Sequence, residues 1–300
     1  RLTRATGRPV MVAWTRAEEF FYDRFRPAAV IKIRSGIDEA GEICLWDYHV
    51  YFTNARGSEM IYDAPHNAIK ISGGGWRGVP GGHPLFTGAW RAPGNNTTTF
   101  ARESHIDVVA HAAGIDPLDF RLNNLANQEM FDTLELAANT FQYAKEKEPG
   151  HGYGIALGQD AGTLVAMIAE VFVDKETGVV QPLRVVCAQD MGQVVNPHGA
   201  TLQTEGGITM GIGYALSEEI EYNGGKMKTA NFNRYEITRF STTPKIECVF
   251  IDKMDAKPQG GGEPAIICVG AAIANAVFDA CGARVNRMPI TPERILAAAT

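Results

Sequence analysis

The 300-residue chain contains no uninterrupted apolar run long enough to span a bilayer, no lipidation signature and no cluster of basic residues. With a net charge of −6 and a pI near 5.7 it offers no electrostatic footprint for nucleic acid or an anionic membrane. Small molecules and proteins are the expected partners. Cysteine is scarce and scattered: Cys44, Cys187, Cys248, Cys268 and Cys281 are odd in number and include no Cys-x-x-Cys pair. That spacing argues against a disulfide framework, a zinc site and an iron–sulfur cluster. Despite 32 glycines, no stretch matches a P-loop, and the one G-x-G-x-x-G spacing, Gly73–Gly78, runs on into Val79-Pro80-Gly81-Gly82 and opens no helical pattern, as a dinucleotide fingerprint would. The chain opens at Arg1, and Leu2–Thr6 followed by Gly7 reads as the last turns of a helix with its C-terminal glycine. The expectation is a piece of a longer protein whose targeting segment lies upstream, so periplasm and cytoplasm both stand open.

What is present is ample core material, 45% hydrophobic residues, and alternating strand and helix signals that indicate an α+β fold. Strands are expected over Val10–Trp14, Ala28–Arg34, Ile43–Phe52, Thr163–Asp174, Val179–Gln189 and Ile246–Asp252. Helices are expected over Thr97–Ala113, Asp116–Leu125, Thr201–Leu216 and Ile266–Ala280, with a short one from Thr291-Pro292. Thr15 and Glu18 form a capping-box pattern. Residues 72–83 are too glycine-rich for anything but loop. Residues 126–149 are polar and weakly periodic, which places a domain boundary there and divides the chain into 1–145 and 146–300.

Chemistry concentrates in Gln259-Gly260-Gly261-Gly262-Glu263-Pro264-Ala265. Three glycines permit close backbone approach, and Pro264 biases Glu263 toward an extended conformation. Such a carboxylate, presented at the entrance of an apolar helix, is expected to be desolvated and its pKa raised toward the range useful for proton abstraction. Trp90-Arg91-Ala92-Pro93-Gly94 is a tight turn feeding a helix, a place where N–H groups and a guanidinium can meet an anion or oxo ligand. Gly206, Gly207, Gly211 and Gly213 lie in an expected helix at a propensity cost of about 1 kcal/mol each. Close packing or a ligand against the backbone has to offset it. His105 and His111, six apart, do not share a helix face.

In order and spacing, Gly7-Arg8-Pro9-Val10, Thr15-Arg16-Ala17-Glu18-Glu19, Ala89–Gly94, Ile115–Arg121, Leu202–Gly207 and Gly262–Ala265 resemble the molybdopterin-binding large subunit of the xanthine dehydrogenase and aldehyde oxidase family. The isoquinoline 1-oxidoreductase branch is the most similar. The resemblance implies two mixed α/β molybdopterin-binding subdomains, the first N-terminally incomplete and the second carrying the catalytic glutamate. It implies a bacterial molybdenum hydroxylase acting on an N-heteroaromatic or aldehyde substrate, with the metal held by the pterin dithiolene and by no protein side chain. The cofactor would be molybdopterin, as such or as its cytosine dinucleotide. Electrons would pass to a [2Fe–2S] small subunit and on to a flavin or cytochrome. Glu263 takes the position of the family's general base. Trp90, Arg91, Ala92, Gln203, Gly206, Gly207, Gly261 and Gly262 take cofactor-binding positions, and Arg26 lies near that of a substrate-orienting arginine.

Two family segments are missing: the Gly-Gly-x-Phe-Gly motif expected before Gly7, and Met-Gly-Gln-Gly. Both are expected upstream, so these 300 residues alone are not expected to complete a molybdenum site. A scaffold or split subunit that kept the fold without catalysis is the competing reading. A hydrolase pairing Glu263 with Asp190 or Asp255 is a third, supported by no pairing motif.

Overall fold

Capping chemistry sets most helix ends. Helix α1 (Leu2–Thr6) closes on Gly7 at φ 64°, and α2 (Arg16–Tyr22) opens with the Thr15/Glu18 capping box. A computed structural model describes residues 1–74, 86–143 and 146–299. Between the first two helices, residues 9–15 form no strand. Met11, Val12 and Trp14 stand exposed, so the apolar run there has no sheet to join.

Strands β1 (Val30–Ile37) and β2 (Ile43–Tyr51) form the expected antiparallel pair, turning at Gly41 with φ 83°. A strand not anticipated, β3 (His66–Ser72), adds to β2 in parallel. The expected loop at 72–83 lies outside the described residues from Gly75 on. Helix α3 (Asn95–Ala113) stops at Gly114, φ 69°, and α4 (Pro117–Asn124) is capped by the Asp116 carboxylate. Residues 128–141, expected to be irregular, form α5 (Gln128–Phe141). Met130, Thr133, Leu134, Ala137 and Phe141 bury one stripe of it, a 3.6-residue repeat masked by the polar residues between. The expected boundary at 145/146 falls beside residues 144–145, outside the described residues.

The main sheet runs β4 (His151–Asp160), β5 (Thr163–Val173), β6 (Val180–Asp190) and later β9 (Lys245–Ile251), antiparallel except for the parallel β6–β9 pair. After β6 come α6 (Pro197–Leu216), the short β7 (Tyr222–Asn223) and β8 (Lys226–Met227) hairpin, α7 (Ile266–Cys281) and α8 (Pro292–Ala298). One face of the main sheet is covered by α6 and α7, the other by α5 together with the layer holding β2, α3 and α4.

Strand β4, not among the expected strands, carries Gly152, Gly154 and Gly158. In the fold, a Cβ at Gly152 or Gly154 would collide with the carbonyls of Ala276 or Ala272, so the glycines let α7 lie directly on the strand. The glycines of α6 are explained in part the same way. A Cβ at Gly211 would sit 2.6 Å from Val269, so α6 and α7 pack backbone to side chain.

A closed ionic network ties α3 and α4 to β4. Glu103 Oε1 accepts from Arg102 Nε at 3.0 Å; Oε2 accepts from Tyr62 Oη at 2.8 Å, Leu157 N at 3.1 Å and Arg121 Nε at 3.3 Å. Asp107 extends it to Arg284 at 2.6 Å. All of Glu103, Arg102 and Arg121 are buried.

Candidate functional site

Glu263 is presented by the loop before α7, and that loop is pinned to the tips of the main sheet. Gln259 N donates to Met191 O at 2.9 Å, Gly260 N to Ala161 O at 3.0 Å, and Thr163 Oγ1 to Gly260 O at 2.6 Å. Glu263 O then accepts from Ile266 N at 3.3 Å, which starts the helix. The carboxylate therefore projects from a fixed base at the N-terminal end of α7, where the helix dipole favours negative charge.

Each carboxylate oxygen has its own donor. Ala92 N donates to Oε1 at 2.9 Å and Arg56 Nη2 to Oε2 at 2.7 Å. Ala92 adopts φ 54°, a left-handed conformation uncommon for alanine, and its methyl is fully buried. The turn ahead of α3 was expected to offer N–H groups to an anion. The anion it holds is Glu263 itself. Arg56 is gripped from behind by Asp160, with Nε–Oδ1 and Nη2–Oδ2 both at 2.7 Å, and Asn95 Nδ2 donates to the same Oδ1 at 2.7 Å.

This environment corrects the expected pKa. Burial alone pushes Glu263 up, but the Ala92 N–H, the Arg56 hydrogen bond and the charges of Arg56 and Arg91 together outweigh it, so the carboxyl lies below its ordinary value. The expectation rested on desolvation at the entrance of an apolar helix. The fold supplies two arginines instead.

Arg91 joins the turn before α3 to α6 and to the loop before α7. Its Nε donates to Gly262 O at 2.7 Å, and its Nη2 to Gly262 O and, at 3.0 Å, to both O and Oε1 of Gln203. Its donors thus hold protein carbonyls together. Gly206 and Gly207 flank it: a Cβ at Gly207 would touch Arg91 and Ala265 at 3.5 Å, one at Gly206 only Arg91 at 4.0 Å. At Gly262 a Cβ would meet nothing within 4 Å, and at Gly261 only Met191 at 3.8 Å. Gly207 is buried, but with exposed Leu202, Gln203 and Met210 alongside, Gly206, Gly261 and Gly262 leave a strip of uncovered backbone next to Arg91 and Glu263. Such a strip fits a flat polar heterocycle lying against the chain, as a pterin would.

Trp90 turns away from Glu263, its ring edge-on to Tyr214 at 5.4 Å. Arg26 stacks there too, 5.2 Å from the Trp90 ring and 4.7 Å from Tyr214, with one Nη buried and unpaired. Among the described residues neither Asp190 nor Asp255 partners Glu263. Asp190 is ion-paired to Lys253 at 2.6 Å and Asp255 is exposed, which leaves the carboxylate-pair hydrolase without its second acid. Among the described residues no group of three or more His, Cys, Asp or Glu side chains is placed to hold a metal, and no helix is long and apolar enough to cross a membrane.

Arg56, Asp160 and Asn95 carry no signal along the chain. Arg56 sits before Gly57, φ 78°, in an irregular stretch, and 104 residues separate it from Asp160. Only the fold pairs them.

A mixed sheet with helices on both faces is the architecture of molybdenum hydroxylase cofactor domains. Quinoline 2-oxidoreductase from Pseudomonas putida 86 shares it with a TM-score of 0.85 at 15% identity, over 99% of this chain and 65% of that one. The aldehyde oxidoreductase of Desulfovibrio desulfuricans gives 0.81 at 18%, over 99% and 52%. Residues 97–244 match the molybdopterin cofactor-binding domain, and the chain belongs to the family of molybdenum-binding subunits of xanthine dehydrogenases and aldehyde oxidoreductases. A nicotinate dehydrogenase subunit of Pseudomonas putida is 29% identical over 99% of this chain and 28% of its own length. The beta subunit of isoquinoline 1-oxidoreductase from Brevundimonas diminuta is 26% identical over 97% and 39%. The molybdenum-binding subunit of an Escherichia coli aldehyde oxidoreductase is 31% identical over 70% and 30%. The chain thus spans well under half the length of these curated relatives.

Proposed function

We propose that this chain supplies the general base and part of the cofactor cradle of a molybdenum hydroxylase that inserts water-derived oxygen into an N-heteroaromatic or aldehyde substrate. The observation that carries the reading is an ionised Glu263 where the 89–94 turn, residues 203–207 of α6 and the 260–264 loop meet, beside the uncovered backbone of Gly206, Gly261 and Gly262. With Trp90, Arg91, Ala92 and Gly207 forming the packed layer behind them, Gln203, Gly206, Gly261 and Gly262 would lie against molybdopterin, as such or as its cytosine dinucleotide. When bound, that group supplies the two-electron oxidant and the oxygen that is transferred.

Glu263 acts through its own atoms. A carboxylate that is ionised at neutral pH accepts a proton from the reacting group, and its rigid base keeps it within hydrogen-bond reach. Arg91 contributes by fixing the Gly262 and Gln203 carbonyls, so the cradle needs no reorganisation when occupied. Arg26, with its unpaired Nη, is the candidate for orienting substrate. Electrons leave through a [2Fe–2S] partner subunit and then a flavin or cytochrome.

A catalytically silent scaffold is the second reading, favoured by one observation: both oxygens of Glu263 already have partners. Molybdenum analysis of the assembled protein decides. One molybdenum per copy is expected, and a fully assembled protein without it would leave the scaffold. The 300 residues alone are expected to retain little.

A further inference from the structure

Arg56 holds two carboxylates of different character. Asp160 is sealed, its side chain 1% exposed, and takes the guanidinium in two parallel hydrogen bonds while Asn95 secures it from the other side. Glu263, 37% exposed, takes a single hydrogen bond from Nη2, a nitrogen already committed to Asp160 Oδ2. The backbone of Arg56 is held as well, its carbonyl by Thr98 Oγ1 at 2.8 Å. We infer that Arg56 is the positioning residue for Glu263: it fixes where the carboxylate sits, and Asp160 keeps Arg56 in place when that carboxylate gains a proton. This rests on the reading of Glu263 as the base.

The physical reason is continuity of pairing. A guanidinium paired to Glu263 alone would become a half-buried cation without a counter-charge at each protonation, opposing the transfer. With Asp160 behind it, Arg56 stays bidentate in both states and only one hydrogen bond changes. The charged groups facing Glu263 are Arg56 and Arg91, with Asp160 behind Arg56. Two substitutions should therefore act in opposite directions. Arg56→Gln removes a cation and raises the Glu263 titration midpoint. Asp160→Asn leaves Arg56 to Glu263 alone and lowers it. Arg56→Lys keeps the charge but cannot span both carboxylates, so the midpoint stays near wild type while kcat falls on the order of 10²-fold through misplacement.

The test is a ¹³C-glutamate infrared titration of the assembled protein prepared without cofactor, the Glu263 signal being identified by its loss in Glu263→Gln, followed by kcat against pH in the loaded enzyme. Midpoints that move up for Arg56→Gln and down for Asp160→Asn, with the acid limb of kcat following, support the inference. Superimposable midpoints in wild type and Arg56→Gln would overturn it, as would wild-type kcat in Arg56→Lys. Should Asp160→Asn fail to fold, the two Arg56 variants decide. Wild-type kcat in Glu263→Gln would instead remove the base reading, while the titration still reports whether Arg56 holds the carboxylate.

Discussion

Glu103 and Glu263 are both glutamates held by arginines, and they do opposite things. Glu103 is 0% exposed and receives four donors. Its arginines spend other N–H groups on the buried carbonyls of Gly57, Leu157 and Ile155, so the carboxylate and its partners are held within the protein. Glu263 receives one donor per oxygen and is 37% exposed. A closed network stabilises and can exchange nothing; an open one has room for a proton and a ligand. The two are also joined. Arg102 holds Gly57 O at 2.7 Å, next to Arg56, so the closed network fixes the loop that carries the open one.

Three substitutions sharpen the contrast. The largest effect is expected from Glu263→Gln, which should lower the rate of substrate-driven reduction in the assembled enzyme by about 10²–10⁴-fold while unfolding in urea stays close to wild type. Glu263→Asp should recover little, since the shortened arm withdraws from its fixed station. Glu103→Gln should do the reverse. Removing one partner of a buried ionic network costs about 3–5 kcal/mol, read as a lower urea midpoint, and any loss of rate should follow the loss of folded protein. A Glu103→Gln protein as stable as wild type would erase the distinction.

The smallest effect is in acid. A carboxyl whose folded pKa is depressed contributes stability above its ordinary value near 4.5 and loses it as pH falls through the folded pKa. Wild type should therefore exceed Glu263→Gln in stability at pH 7 and converge with it as the pH falls through the folded pKa. The difference should be less than about 1 kcal/mol because the pair is over a third exposed and screened. A gap that does not narrow as the pH falls would place the contribution in packing and not in charge.

Sequence by itself determined the pieces whose physics is local. Gly7, Gly114 and Gly282 end helices because only glycine takes φ near 60–80° without strain, and Thr15, Asp116 and Thr291 begin them by accepting from the first-turn N–H groups. The glycine frame around Glu263 marked a presented carboxylate for the same reason. Tertiary structure decided what depends on distant neighbours. Val10–Trp14 has strand composition but no partner strand, whereas glycine-rich β4 is a strand of the main sheet because α7 needs bare backbone to rest on. Above all, the Glu263 carboxyl is more acidic than an ordinary glutamate, where its local frame pointed to a weaker acid. Its proton affinity is set by Arg56, itself set by Asp160, and nothing along the chain brings residues 56, 160 and 263 together until β4 ends where the loop before α7 begins.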